Sequence, residues 1–186
     1  NGSVLQVLEQ LPFLYKAPGL IPCISTIGPS GKDDFFERLL EIKNELYSDG
    51  RFQMQFSLHT SSEEARSKLI SAHTWSFTQI AEYGTRFKKP NDKKITLNFA
   101  AVQGMPLEPE SLLNYFSPAV FIIKLTPVNP TFNAQQNNLI GLIDPMNDKK
   151  NAAIVQKFQD CGYDTILSIG ELSENQIGSN CGMMVK

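Results

Sequence analysis

Charge is scarce in this chain, and neither sign is in excess: 17 Lys+Arg stand against 19 Asp+Glu in 186 residues, a net charge of −2. A surface so balanced carries no broad basic face, so any contact with nucleic acid must be local. No apolar run approaches the ~20 residues that a membrane-spanning helix needs, and no basic-then-apolar leader opens the chain. The three cysteines, Cys23, Cys161 and Cys181, are odd in number and unevenly spaced, which argues against a secreted disulfide scaffold. No Cys or His pair has the spacing of a metal site, and neither a GxGxxG nor a P-loop offers a phosphate cradle. The start at Asn1-Gly2-Ser3, without a methionine, points to a processed product or an excised piece. What remains is ample core material, 41% hydrophobic residues, and the expectation is a cytoplasmic globular domain.

Apolar or β-branched runs alternate with amphipathic segments about every 30 residues, the pattern of parallel βα units. Helical spacing predicts a first helix over Val4–Leu11 that stops before Pro12. Pro22–Thr26 reads as a buried strand, and Ser30 as the N-cap of a helix with an apolar stripe of Phe35, Phe36, Leu39, Leu40, Leu46 and Tyr47. Phe52–His59 is the next strand; Ser61 with Glu64 forms a capping box for a helix over Ser62–Ile70. Lys94–Val102 and Phe121–Leu125 are further strands, with a helix at Pro109–Tyr115 between them. Pro127–Asn147 reads as a surface loop, Asp148–Cys161 as a helix stopped by Gly162, and Thr165–Ile169 as the last strand. Cys23, in a strand, and Cys161, on an apolar helix face, read as small core residues. The fold class expected is α/β: a partial (β/α) barrel of mostly parallel strands with flanking helices.

Ser25, Ser57, His59 and Asn129 each fall at or just past the C-terminal end of a predicted strand. In parallel α/β folds that end carries the ligand site, because βα loops and helix N-termini gather there. Serine and asparagine also end strands simply as turn formers, and residue type alone does not separate the two readings. A single histidine is more often a satisfied hydrogen-bonding group than a base. Cys181, in Ile177-Gly178-Ser179-Asn180-Cys181-Gly182, is a thiol in a polar stretch after the last strand, either a functional group or an incidental tail residue.

Ile24-Ser25-Thr26-Ile27-Gly28, Phe56-Ser57-Leu58-His59-Thr60 followed by Glu63-Glu64-Ala65-Arg66, Leu125-Thr126-Pro127-Val128-Asn129-Pro130, and the Cys181-Gly182 tail occur in one order. In order and spacing the chain resembles the C-terminal two-thirds of the radical S-adenosylmethionine methyltransferases that methylate C-2 of adenine in ribosomal and transfer RNA. The resemblance implies that Ser25, Ser57, Leu58, His59 and Asn129 contact S-adenosylmethionine, and that Cys181 is the cysteine that accepts a methyl group. It implies a 4Fe–4S cluster whose CxxxCxxC ligands lie outside this chain, since that motif is absent here. Residues 1–186 would then be the C-terminal portion of a radical S-adenosylmethionine domain, inactive alone. RNA is the implied partner, and no membrane is. The family has a basic stretch before the cysteine, where this chain has Glu171-Leu172-Ser173-Glu174, and two acids there repel phosphate. Two alternatives therefore stand beside the RNA methyltransferase: a radical enzyme with a non-RNA substrate, and a non-catalytic binding module. Strand Pro22–Thr26, left as an uncharged open edge, is expected either to self-associate or to be covered by Asn1–Pro18 folding back.

Overall fold

Side-chain alternation in the strands decides the architecture. The computed structural model describes residues 2–170, which form α1 (Gly2–Leu14), β1 (Cys23–Thr26), α2 (Asp33–Leu46), β2 (Gln53–Ser57), α3 (Glu63–Leu69) and α4 (Phe77–Phe87). They continue as β3 (Ile95–Ala100), α5 (Pro109–Leu112), β4 (Phe121–Thr126), α6 (Phe132–Gln136), α7 (Asp148–Asp160) and β5 (Thr165–Leu167). The five strands make one sheet in the order β1-β2-β3-β4-β5, every neighbouring pair parallel. Parallel neighbours require crossovers, and crossovers are right-handed. A strand order that never reverses therefore lays the crossover helices on one face.

The packing agrees. Phe36 of α2 stacks on Phe56, Phe116 meets Phe121 edge-on, and Phe158 of α7 packs on Phe99. Gly84 of α4 sits where a Cβ would lie 2.5 Å from the Phe121 ring, so only glycine allows this close a helix–sheet approach. Met54, Phe56, Leu97, Phe99, Phe121, Ile123 and Leu125 are buried on this side. The alternate residues, Ser25, Gln55, Ser57, Thr96, Asn98, Lys124 and Thr126, point to the other face, which α2, α4 and α7 leave uncovered and where Ala134 of the short helix α6 comes to lie. The expected α/β fold with a parallel sheet and flanking helices is present; the sheet is open, with β1 and β5 as its edges.

Several local expectations are corrected. Helix α1 runs through Pro12 to Leu14 instead of stopping before it. Pro12 has no N–H for the carbonyl of Leu8, and the Tyr47 hydroxyl donates to that carbonyl instead at 2.6 Å. Ser30 does not cap α2: its N–H donates to the His73 carbonyl at 3.0 Å, and Lys32 occupies the N-cap without a side-chain bond. Ser62, not Ser61, caps α3 by accepting from Ala65 N–H, while Ser61 Oγ accepts from the N–H of Glu108. Helix α4 and its capping box, Ser76 with Gln79, were legible in the sequence as S-x-x-Q and were not predicted. The 127–147 stretch is not all loop, since α6 lies within it. Strand β1 is not the buried strand expected: it is a sheet edge with none of its four residues buried, so Cys23 is exposed rather than a core residue; Cys161 is half-buried.

One ion pair ties the N-terminal end of the sheet. Lys43 of α2 is almost fully buried; its Nζ donates to the Phe87 carbonyl at 2.8 Å and pairs with Asp92. Asp92 also accepts from the N–H groups of Lys89 (2.9 Å) and Gly50 (3.3 Å).

Candidate functional site

Over the polar face lies a groove of about 930 Å³, and Ser25, Ser57, His59 and Asn129 all line it. The four residues singled out from the sequence thus share one cavity, at the C-terminal ends of β1, β2 and β4. Leu58 does not join them: its side chain is fully buried in the core, and only its backbone N–H, bonded to the Asn98 carbonyl at 3.0 Å, belongs to this end of the sheet. Cys181 lies outside the described residues.

His59 takes a left-handed backbone conformation (φ 66°), which turns the chain away from β2 as the strand ends. Its own N–H donates to the Asn98 carbonyl (3.2 Å), and its Nδ1 accepts from the N–H of Ala100 (3.1 Å). An Nδ1 that accepts carries no proton, so the neutral ring holds its hydrogen on Nε2. Burial, and secondarily the charge of Arg66, hold the imidazole below its ordinary pKa. His59 is therefore a neutral Nε2–H donor at pH 7, suited to a hydroxyl or carbonyl of a ligand.

Arg66 supports this corner from behind. Buried within α3, it donates through Nη1 to Thr74 Oγ1 (2.9 Å) and the Trp75 carbonyl (2.8 Å). Through Nη2 it donates to the carbonyls of Ile27 (2.6 Å) and Ser57 (3.3 Å). One side chain thus joins the ends of β1 and β2 to the segment before α4. Burial lowers its pKa to about 10, partly offset by Glu63, and it stays charged at neutral pH.

The loop after β4 forms the far wall. Gln103 N–H donates to the Ile140 carbonyl (2.8 Å) and Leu142 N–H to the Ala101 carbonyl (2.7 Å), holding residues 139–142 beside the end of β3. Buried Asn151 of α7 fixes the loop's exit, accepting from Asp144 N–H (3.0 Å) and donating to its carbonyl (2.7 Å). Asn129 sits in this loop, where its carbonyl accepts from Thr131 N–H at 2.8 Å.

Gln55, Asn98, Lys124 and Thr126 also line the groove, and reading strand ends alone missed them. Their signal was present as period-2 alternation: Gln53, Gln55, Ser57 and His59 are interleaved with Phe52, Met54, Phe56 and Leu58. In a parallel sheet, where strands normally read as continuous apolar runs, such alternation marks a face left uncovered. Asn98 Nδ2 donates to Gln55 Oε1 at 2.9 Å, and Gln55 Nε2 reaches Cys23 Sγ at 3.0 Å.

No family model, curated protein or solved structure matches this chain. Among the described residues no three His, Cys, Asp or Glu side chains converge as a metal site, so these residues do not fit an iron–sulfur cluster. The groove's polar groups are hydroxyls, amides, one neutral imidazole and two lysines, Lys124 and Lys150, against Asp144, set among apolar residues such as Leu69, Val102, Leu139, Ile140 and Ile143. Such a lining binds and orients a polar small molecule.

Proposed function

We propose that the groove is an S-adenosylmethionine site and that the chain is the C-terminal portion of a radical S-adenosylmethionine methyltransferase, its open sheet being part of a (β/α) barrel. One observation carries this reading: an all-parallel sheet, of a kind normally covered on both faces by helices, presents a polar face that α2, α4 and α7 leave uncovered and whose strand-end groups line one groove. When bound, S-adenosylmethionine supplies a methyl group and, on reductive cleavage, a 5′-deoxyadenosyl radical. The chain's residues bind and orient it: the hydroxyls of Ser25 and Ser57 and the Nε2–H of His59 suit ribose and carboxylate oxygens, and Asn129 suits the adenine edge. Arg66 is a positioning residue, acting through the Ser57 backbone. The ligands of the 4Fe–4S cluster lie outside this chain in the proposal, so residues 1–186 alone are inactive. The acceptor it names is C-2 of an RNA adenine, reached through methylated Cys181. The second reading, a non-RNA substrate, is favoured by the chain's net charge of −2.

Titration calorimetry of the whole chain with S-adenosylhomocysteine checks the cofactor reading. A micromolar dissociation constant is expected, about −8 kcal/mol. Ser57→Ala and Asn129→Ala should each weaken it about tenfold, the loss of one buried hydrogen bond, with unchanged circular dichroism. A chain that gives no heat with this ligand, or binds it equally well in both variants, refutes the assignment.

A second copy of the chain is the partner proposed for the β1 edge. Phe13, Leu14, Tyr15, Leu20 and Ile21 are exposed just before this strand, α1 packs on α2 with Glu9 bonded to Arg38, and Cys23 and Ser25 remain uncovered. Light scattering should show a mass that rises with concentration toward a dimer, and Cys23→Lys should restore the monomer. A wild-type chain that is monomeric at every concentration removes this partner.

A further inference from the structure

Across the floor of the groove the strand register sets Ser57 beside Asn98 and Asn98 beside Lys124. A relay fixes the central amide. Gln55 Nε2 donates to Cys23 Sγ, which turns Gln55 Oε1 toward Asn98; Asn98 Nδ2 donates to that oxygen at 2.9 Å and stands 3.4 Å from Ser25 Oγ. With its nitrogen committed on that side, Asn98 holds its carbonyl oxygen Oδ1 away from Gln55. That oxygen is buried and has no partner among the described residues. A buried acceptor left without a donor is unfavourable, and such an atom in a ligand groove marks where a donor belongs. On the neighbouring strand Lys124 lines the same groove, and no carboxylate among the described residues pairs with it.

We propose that Asn98 and Lys124 form a subsite for a small acid that carries an amino or hydroxyl group on the carbon next to its carboxylate. The carboxylate lies on Lys124 Nζ, and the neighbouring N–H or O–H donates to Asn98 Oδ1. Adjacent parallel strands are about 4.8 Å apart, which suits two hydrogen bonds to groups on adjoining carbons of one ligand. Charge favours a carboxylate over phosphate. The described lining holds Lys124 and Lys150 against Asp144, a net of +1 with His59 neutral, which matches one monoanion; a phosphate dianion calls for more cations or converging N–H groups. The groove, at about 930 Å³, lies near the upper end of the roughly 300–1,000 Å³ range of small-molecule sites and has room for more than a cofactor. The inference deepens the second reading of the proposed function, a non-RNA substrate, by naming the second molecule in the groove, and rests on that reading only for the cofactor's presence beside it.

The test is a ¹H–¹⁵N NMR titration of the whole chain with L-lactate, L-alanine, propionate and inorganic phosphate, with and without S-adenosylhomocysteine. Lactate or alanine should move the Asn98 side-chain amide signals and saturate in the millimolar range. Propionate, which has the carboxylate but no donor, should bind at least about tenfold more weakly. Whichever of lactate and alanine binds tighter tells a hydroxy acid from an amino acid. Lys124→Met, with Lys124→Gln as the second variant, should abolish the response to acids; S-adenosylhomocysteine, whose own amino acid end has the same chemistry, should keep its affinity, and a parallel loss would overturn the second molecule by assigning the subsite to the cofactor. Asn98→Ala should bring lactate and alanine down to the level of propionate. The subsite is overturned if the wild-type chain shows no response up to about 50 mM acid, if propionate matches lactate and alanine, if phosphate binds tighter than all three, or if the Lys124 variants bind acids unchanged. Acid binding without any binding of S-adenosylhomocysteine would instead remove the cofactor and keep the subsite.

Discussion

Replacing Asp92 by alanine is expected to lower the stability of the fold by about 3–5 kcal/mol, because it strands the buried ammonium of Lys43 without its counter-ion. The two side chains are only 2% and 5% exposed, so water cannot take the carboxylate's place without the packing opening. The substitution also removes the acceptor for the N–H groups of Lys89 and Gly50, which adds to the loss. Asp92→Asn keeps an acceptor and loses the charge, and should fall between the two. Urea denaturation followed by circular dichroism measures the difference; a loss under about 1 kcal/mol for the alanine variant would show that Lys43 needs no counter-ion. The pair also has a pH signature. Burial alone would raise the pKa of Asp92, but Lys43 and the N–H groups of Lys89 and Gly50 together hold it below its ordinary value. A carboxyl depressed in the folded state contributes its full stabilisation above its unfolded pKa, about 3.9, and loses it as pH falls through the folded value. Wild type should therefore lose this part of its stability below about pH 4, and the alanine variant should lack that component of the acid transition.

Arg66→Met should cost a similar amount, about 3–5 kcal/mol, by a different route. Among the described residues no carboxylate is hydrogen-bonded to Arg66; its guanidinium satisfies one hydroxyl and three carbonyls. Two of those carbonyls, of Ile27 and Ser57, end the strands that carry Ser25 and Ser57. Loss of stability should thus be accompanied by weaker binding of S-adenosylhomocysteine, measured well below the melting temperature. Arg66→Lys should recover only a part, since an ammonium cannot span four acceptors as the planar fork does. If the methionine variant binds ligand with wild-type affinity while folded, Arg66 supports the core and does not position the groove.

The strands were legible in the sequence, and so was their parallel arrangement, because both are written locally: short apolar or alternating runs, starting 26–44 residues apart, with amphipathic segments between. Capping was less secure. Ser30, Ser61 and Ser62 all suit an N-cap, and which of them serves depends on partners far away, His73 for the backbone of Ser30 and Glu108 for the hydroxyl of Ser61. Pro12 reads as a helix stop by its chemistry, yet a hydroxyl 35 residues later in the chain, that of Tyr47, meets the carbonyl it leaves free.

The candidate site divides along the same line. Sequence alone placed Ser25, Ser57, His59 and Asn129 at strand ends, since the end of a parallel strand is a local property of the chain. That they line one groove, and that Leu58 is turned into the core between Ser57 and His59, depends on the strand order β1-β2-β3-β4-β5, which no local pattern specifies. The tautomer of His59 is set by an N–H from β3, and the orientation of the Asn98 amide by an amide from β2 and a thiol from β1. Periodicity within one strand says which residues share a face. Which residues of different strands become neighbours is decided by strand order and register, and these follow from how the apolar faces of all five strands pack against the helices together, which no single strand's pattern specifies.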